Sequence, residues 1–103
     1  MASSEEYLAY VLELLNELPE VTWRKMMGEY VLYASGKVFG GIYDDRFLVK
    51  ATPASRAVLM TTELPYEGGS EMLLVDLEEP EAVAALVEAM LPELPAPKPK
   101  KRK

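Results

Sequence analysis

The side chains able to do chemistry in this 103-residue sequence form a restricted set. Histidine and cysteine are both absent, which removes the commonest general base, the commonest zinc ligands and all thiol chemistry. Carboxylates, lysine, arginine, tyrosine and hydroxyls remain. Asp44-Asp45 places two hard oxygen donors side by side, the type Mg²⁺ and Ca²⁺ take, but no third or fourth ligand stands near them, and such a pair between apolar runs commonly forms a turn. Asp76, Glu78, Glu79 and Glu81 make an acidic run ahead of a helical pattern, where negative charge complements the helix dipole. A carboxylate-pair active site would also require a cleft and a raised pKa, which no feature of the run signals. A nucleophile would need lysine or a carboxylate as its base, and nothing marks Lys50 or Glu29 for that work. The expectation is a protein that is not an enzyme and holds no cofactor and no metal.

Binding chemistry is better represented. The end of the chain, Lys98-Pro99-Lys100-Lys101-Arg102-Lys103, collects five of the eleven basic residues, and without them six bases face seventeen acids. An acidic body repels a phosphate backbone, whereas the basic cluster would hold nucleic acid weakly and without sequence preference. No aromatic residue is interleaved there to stack on bases, and a solubilising tail accounts for the same residues. Met26, Met27, Glu29, Tyr30 and Tyr33 are candidates for a partner surface, because methionine adapts its shape and tyrosine combines an apolar ring with a polar tip. Alternating apolar residues in a strand ordinarily face a core, which is the plainer account of the same segment.

The elements that position these residues follow from periodicity. Leu8, Val11, Leu12 and Leu15 repeat at helical spacing, with Ser3 as a cap, Glu6 as its reciprocal partner and Pro19 as the stop. From Thr22 to Lys50 the sequence is rich in aromatic and β-branched residues. Breaks at Ser35-Gly36 and Asp44-Asp45 predict two tight hairpins and a three-stranded meander, with Gly28 as a bulge in the first strand. Gly40-Gly41 leaves room for a packed element, expected to be a helix. Thr52-Pro53 opens a short helix over residues 53–60. Leu64-Pro65-Tyr66 and residues 71–76 predict a second hairpin around Gly68-Gly69. Pro80 opens a last helix, with Val83, Leu86, Val87, Met90 and Leu91 on one face and Pro92 as its stop. The expected fold is α+β, an α-β(3)-α-β(2)-α two-layer sandwich, with helices on one face of an antiparallel sheet and the other face open. Residues 1–95 form one domain, and residues 96–103 a basic, disordered tail.

The run Arg24-Lys25-Met26-Met27-Gly28-Glu29-Tyr30-Val31-Leu32-Tyr33, then Gly36-Lys37-Val38-Phe39-Gly40-Gly41-Ile42-Tyr43 and Phe47-Leu48-Val49-Lys50, resembles the signature of the TfoX N-terminal-domain family. Met27 stands where that family usually has Phe, and Glu29 and Val31 where it has glycines. Pro65-Tyr66 and the apolar stretch 72–75 also fall in family order. The resemblance implies a two-layer α+β sandwich and a bacterial module related to a competence regulator, acting in transcriptional control through protein contacts.

The expected function is therefore a small regulatory interaction module with a protein partner, a homodimer among the possibilities. The alternatives are a chaperone-like holder of a client peptide, or nucleic-acid binding through Lys98, Lys100, Lys101, Arg102 and Lys103. The start of the sequence lacks a basic segment followed by an apolar run, so no secretory signal is expected. The cytoplasm is the expected compartment, with no membrane contact.

Overall fold

The computed structural model describes residues 4–26, 28–66 and 68–95. Helix α1 (Glu5–Leu14) begins where the Ser4 side chain accepts from the Tyr7 N–H at 3.1 Å. Ser4, not Ser3, is the cap, and Ser3 lies outside the described residues. The helix buries Leu8, Val11 and Leu14. Glu20, at φ 57°, then turns the chain into the sheet.

The meander has four strands where three were expected: β1 (Val21–Met26), β2 (Glu29–Ala34), β3 (Lys37–Ile42) and β4 (Phe47–Lys50). The expected bulge at Gly28 is a hairpin connection. Its φ of 85° reverses the chain in a region other residues avoid, so that Met26 pairs with Glu29 and Trp23 with Leu32. The other two turns fall where expected. Ser35 and Gly36, and likewise Asp44 and Asp45, have positive φ at both central positions. That is the mirror-image turn whose twist suits a tight hairpin. Tyr43 and Arg46 close the third turn with reciprocal backbone bonds of 2.9 and 3.0 Å.

A bulge does occur, in β3. Leu32 pairs with Gly40 and Tyr33 with Val38, leaving Phe39 as an extra residue. The bulge re-aims one side chain, so Phe39 and Ile42, of opposite parity, are both fully buried in one core. Helix α2 (Pro53–Val58) ends two residues earlier than expected, and Thr52 and Ser55 cap each other's backbone N–H groups at its start. Strand β5 (Thr62–Glu63) precedes the Leu64-Pro65-Tyr66 segment in which a strand was expected. Pro65 has no N–H for a ladder, and residues 64–66 and 68–71 belong to no strand or helix. Strand β6 (Met72–Leu74), helix α3 (Pro80–Met90) and a 3₁₀ turn (Leu91–Glu93) complete the described chain.

All pairings are antiparallel, in the order β1-β2-β3-β4-β6-β5. Register places Tyr30, Leu32, Ile42, Phe47, Val49 and Leu73 on one face, and these join the buried residues of α1 and α3 in a single cluster. The helices therefore cover one side of the sheet, and the two-layer α+β sandwich is as expected. The Gly40-Gly41 gap does not receive a helix. A Cβ on Gly40 would overlap the Leu48 carbonyl oxygen, and one on Gly41 would lie 2.7 Å from the Tyr43 ring. The neighbouring strand and a tyrosine use the space. No helix among the described residues is long and apolar enough to cross a membrane.

Candidate functional site

On the face away from the helices, register aligns Val31, Gly41, Leu48 and Leu74 across four strands, with Lys50 beside Met72. Leu48 is fully buried and Met72 nearly so, yet neither belongs to the helix-side core. Their cover comes from this face itself. The Tyr43 ring lies across Gly41, and Tyr43 meets Tyr66 edge-on at 6.2 Å between centroids. Tyr66 and Pro65 in turn fold against Gly69. The loop after β5 thus returns over part of the face that was expected to be open.

Arg46 holds that loop. Its Nη1 donates to Glu63 Oε1 at 2.8 Å, its Nη2 reaches the Pro65 carbonyl at 3.5 Å, and its Nε bonds the Tyr43 carbonyl at 3.1 Å. A planar guanidinium with several fixed donors suits such a three-way tie. Sequence reasoning passed over Arg46. The available signal was a single arginine between a turn and the apolar strand Phe47–Lys50, a place where a charge calls for a partner.

Between the loop and the sheet lies a cleft of about 390 Å³, with Val38, Tyr43, Lys50, Tyr66, Ser70 and Met72 among its walls. Among the described residues the Lys50 ammonium has no ion-pair partner. Burial raises the pKa of Tyr43, and nearby Tyr66, Glu29 and Tyr33 add to the shift, so its phenol stays neutral at physiological pH. The cleft therefore offers a cation, two phenolic rings, a hydroxyl and, from Glu71, a carboxylate. These groups can stack on a guest, donate and accept hydrogen bonds, and meet charge of either sign.

The candidate partner residues are dispersed by the fold. Met26 is exposed at the end of β1, and Tyr33 is half-buried on the cleft face. Glu29 is half-buried, and its carboxylate accepts from the Asp44 N–H at 3.2 and 3.3 Å. Tyr30 must be withdrawn from any contact surface: it is 1% exposed, in the helix-side core, with Trp23 edge-on at 5.4 Å. Its even position on β2 points it inward with Leu32 and Ala34. Met27 lies outside the described residues, as do Lys98, Lys100, Lys101, Arg102 and Lys103 of the basic tail. Asp44-Asp45 serves as the turn, and Asp45 Oδ1 also accepts from the Ser4 N–H at 2.9 Å.

Comparison with known proteins places the chain in a family. The family described as TfoX N-terminal domain matches residues 13–71, from the end of α1 to the edge of β6. A protein of Spirochaeta aurantia described as "Uncharacterized 12.7 kDa protein in trpE 5'region" is 36% identical over 107 residues, spanning 100% of this chain and 93% of the relative.

Proposed function

The chain belongs to the TfoX N-terminal domain family, and from that premise we propose that it is a small, non-enzymatic regulatory module. It acts through protein–protein contacts on the loop-covered face of the sheet. The observation that carries the reading is the exposed apolar chain around β5. Met60, Leu64 and Tyr66 are each at least half exposed, Met60 to 86%, and Tyr66 lines a cleft whose lysine lacks an ion-pair partner among the described residues. Apolar side chains gathered next to polar groups mark contact surfaces in folded proteins. The partner presents a carboxylate to Lys50 and an apolar segment to the tyrosine rings. The regulatory sense comes from the family and the contact sense from the surface. The reading puts the protein in the cytoplasm.

The test is site-specific photocrosslinking in cells of the source organism. A crosslinker at position 66 is expected to give one discrete protein adduct, weakened by Lys50→Glu. A crosslinker at Glu88, exposed on α3, is expected to give none. Equal labelling from both positions, or no discrete adduct from position 66, would overturn the proposal.

A further inference from the structure

The two edges of the sheet differ. β5 has two residues, whereas β1 has six, and Thr22 to Met26 are all exposed along it. The backbone bond from Ser35 N–H to the Glu20 carbonyl, 3.1 Å, fixes which groups of β1 are already used. In an antiparallel ladder, hydrogen-bonded and non-bonded pairs alternate. Glu20 and Ser35 form a bonded pair, so Thr22, Arg24 and Met26 point their backbone groups at β2, in the register Thr22–Tyr33, Arg24–Val31 and Met26–Glu29. Val21, Trp23 and Lys25 therefore turn their N–H and C=O groups outward to the free edge. Trp23, the single tryptophan, sits among them and is 44% exposed.

We propose that β1 pairs with β1 of a second copy of this chain, antiparallel about a two-fold axis at Trp23, joining the two sheets into one. The strand is self-complementary in this register. Trp23 lies opposite Trp23 of the second copy, and Val21 opposite Lys25, so every outward backbone group is matched, giving about six hydrogen bonds. Arg24 faces Thr22 of the second copy, with that copy's Glu20 and Arg24 on its diagonals. The indoles meet on the face where each already touches Tyr30, which makes an aromatic row across the junction, and such cross-strand pairs stabilise sheets. The neighbouring registers are poorer. One sets Arg24 directly opposite Arg24, and like charges so placed repel. The other sets Lys25 opposite Pro19, which has no N–H to give. The inference rests on the edge of the sheet and is independent of the contact face proposed above.

The test is sedimentation of the full chain over a dilution series, read together with Trp23 fluorescence. The expected result is a mass that rises from 11.5 kDa to twice that value, with a blue shift of emission in step with association. Lys25→Pro removes an outward N–H without touching the β1–β2 ladder and is expected to hold the chain monomeric. Trp23→Arg and Trp23→Glu are each expected to be monomeric, since like charges then face each other at the axis, while an equimolar mixture of the two restores a mixed dimer. Circular dichroism of each variant confirms that it is folded. A chain that stays monomeric at every concentration would overturn the proposal. So would a dimer indifferent to Lys25→Pro, or folded Trp23→Arg and Trp23→Glu chains that fail to associate when mixed.

Discussion

The two faces of this sheet are covered by different means. On one, helices α1 and α3 lie over Tyr30, Leu32, Phe39, Ile42, Phe47 and Val49, all at most 1% exposed. On the other, Tyr43 lies across Gly41, the cross-strand neighbour of Leu48, and Tyr66 and Pro65 stand over the cleft that Met72 lines. The first cover is a layer of interdigitated apolar side chains. The second depends on one arginine and its three acceptors. Burial alone does not separate them, since Leu48 is as inaccessible as Val49. What separates them is how readily the cover can lift, and local opening of a loop takes far less free energy than unseating a helix.

That contrast can be broken at its strong point first. Phe47→Ala opens a void beneath the helices and is expected to cost about 3–5 kcal/mol in urea unfolding, while Leu48→Ala is expected to cost about 2 kcal/mol because the loop can settle into the space. Equal losses would mean that the loop-covered side is a second rigid core. Arg46→Ala sharpens the contrast with a smaller effect. Its ion pair with Glu63 is only partly buried, so global stability should fall by about 1 kcal/mol or less. Exchange of the Gly69 amide, bonded to the Tyr66 carbonyl at 2.9 Å, should nevertheless accelerate about tenfold with that of Val49 unchanged. The smallest effect belongs to Tyr43. Its folded pKa is raised above 10.0, chiefly by burial, so the unfolded chain loses this proton more readily. The contribution of Tyr43 to stability should hold level at and below neutral pH and fall as pH climbs past 10. Tyr43→Phe should lessen that fall, as followed by melting temperature and by phenolate absorbance.

What the sequence made legible follows from how local the cause was. Ser35-Gly36 and Asp44-Asp45 announce their turns because short polar residues tolerate positive φ. The connection at Gly28 was hidden because its neighbours Met26 and Glu29 do not form a polar break, and a lone glycine fits a bulge equally well. Phe39 and Ile42 share no strand parity, so only the pairing of β3 with β2 reveals why both are buried. The four-strand meander, the placement of β5 and the close fit at Gly40 all depend on neighbours distant in the chain. The cleft was illegible for the same reason. Arg46 and Glu63 are 17 residues apart, and no periodicity joins them. Tyr30 and Tyr33 looked alike as residue types, yet their opposite parity on β2 sends one to the core and the other to the cleft face.

The Lys37 ammonium donates to the Leu91 carbonyl at 2.8 Å, across 54 residues of chain, and this contact bears on how the protein is made. During synthesis the hairpins of the meander can zip as soon as they leave the ribosome, because their partners are close in sequence. Of the two helices that shelter their apolar side, α1 is made first and α3 last, and the lysine at the head of β3 finds its acceptor only when α3 has been finished. Until then the nascent chain carries a sheet whose apolar face is only partly covered. Premature termination before Leu91 should therefore yield a product that clumps, not a smaller working protein.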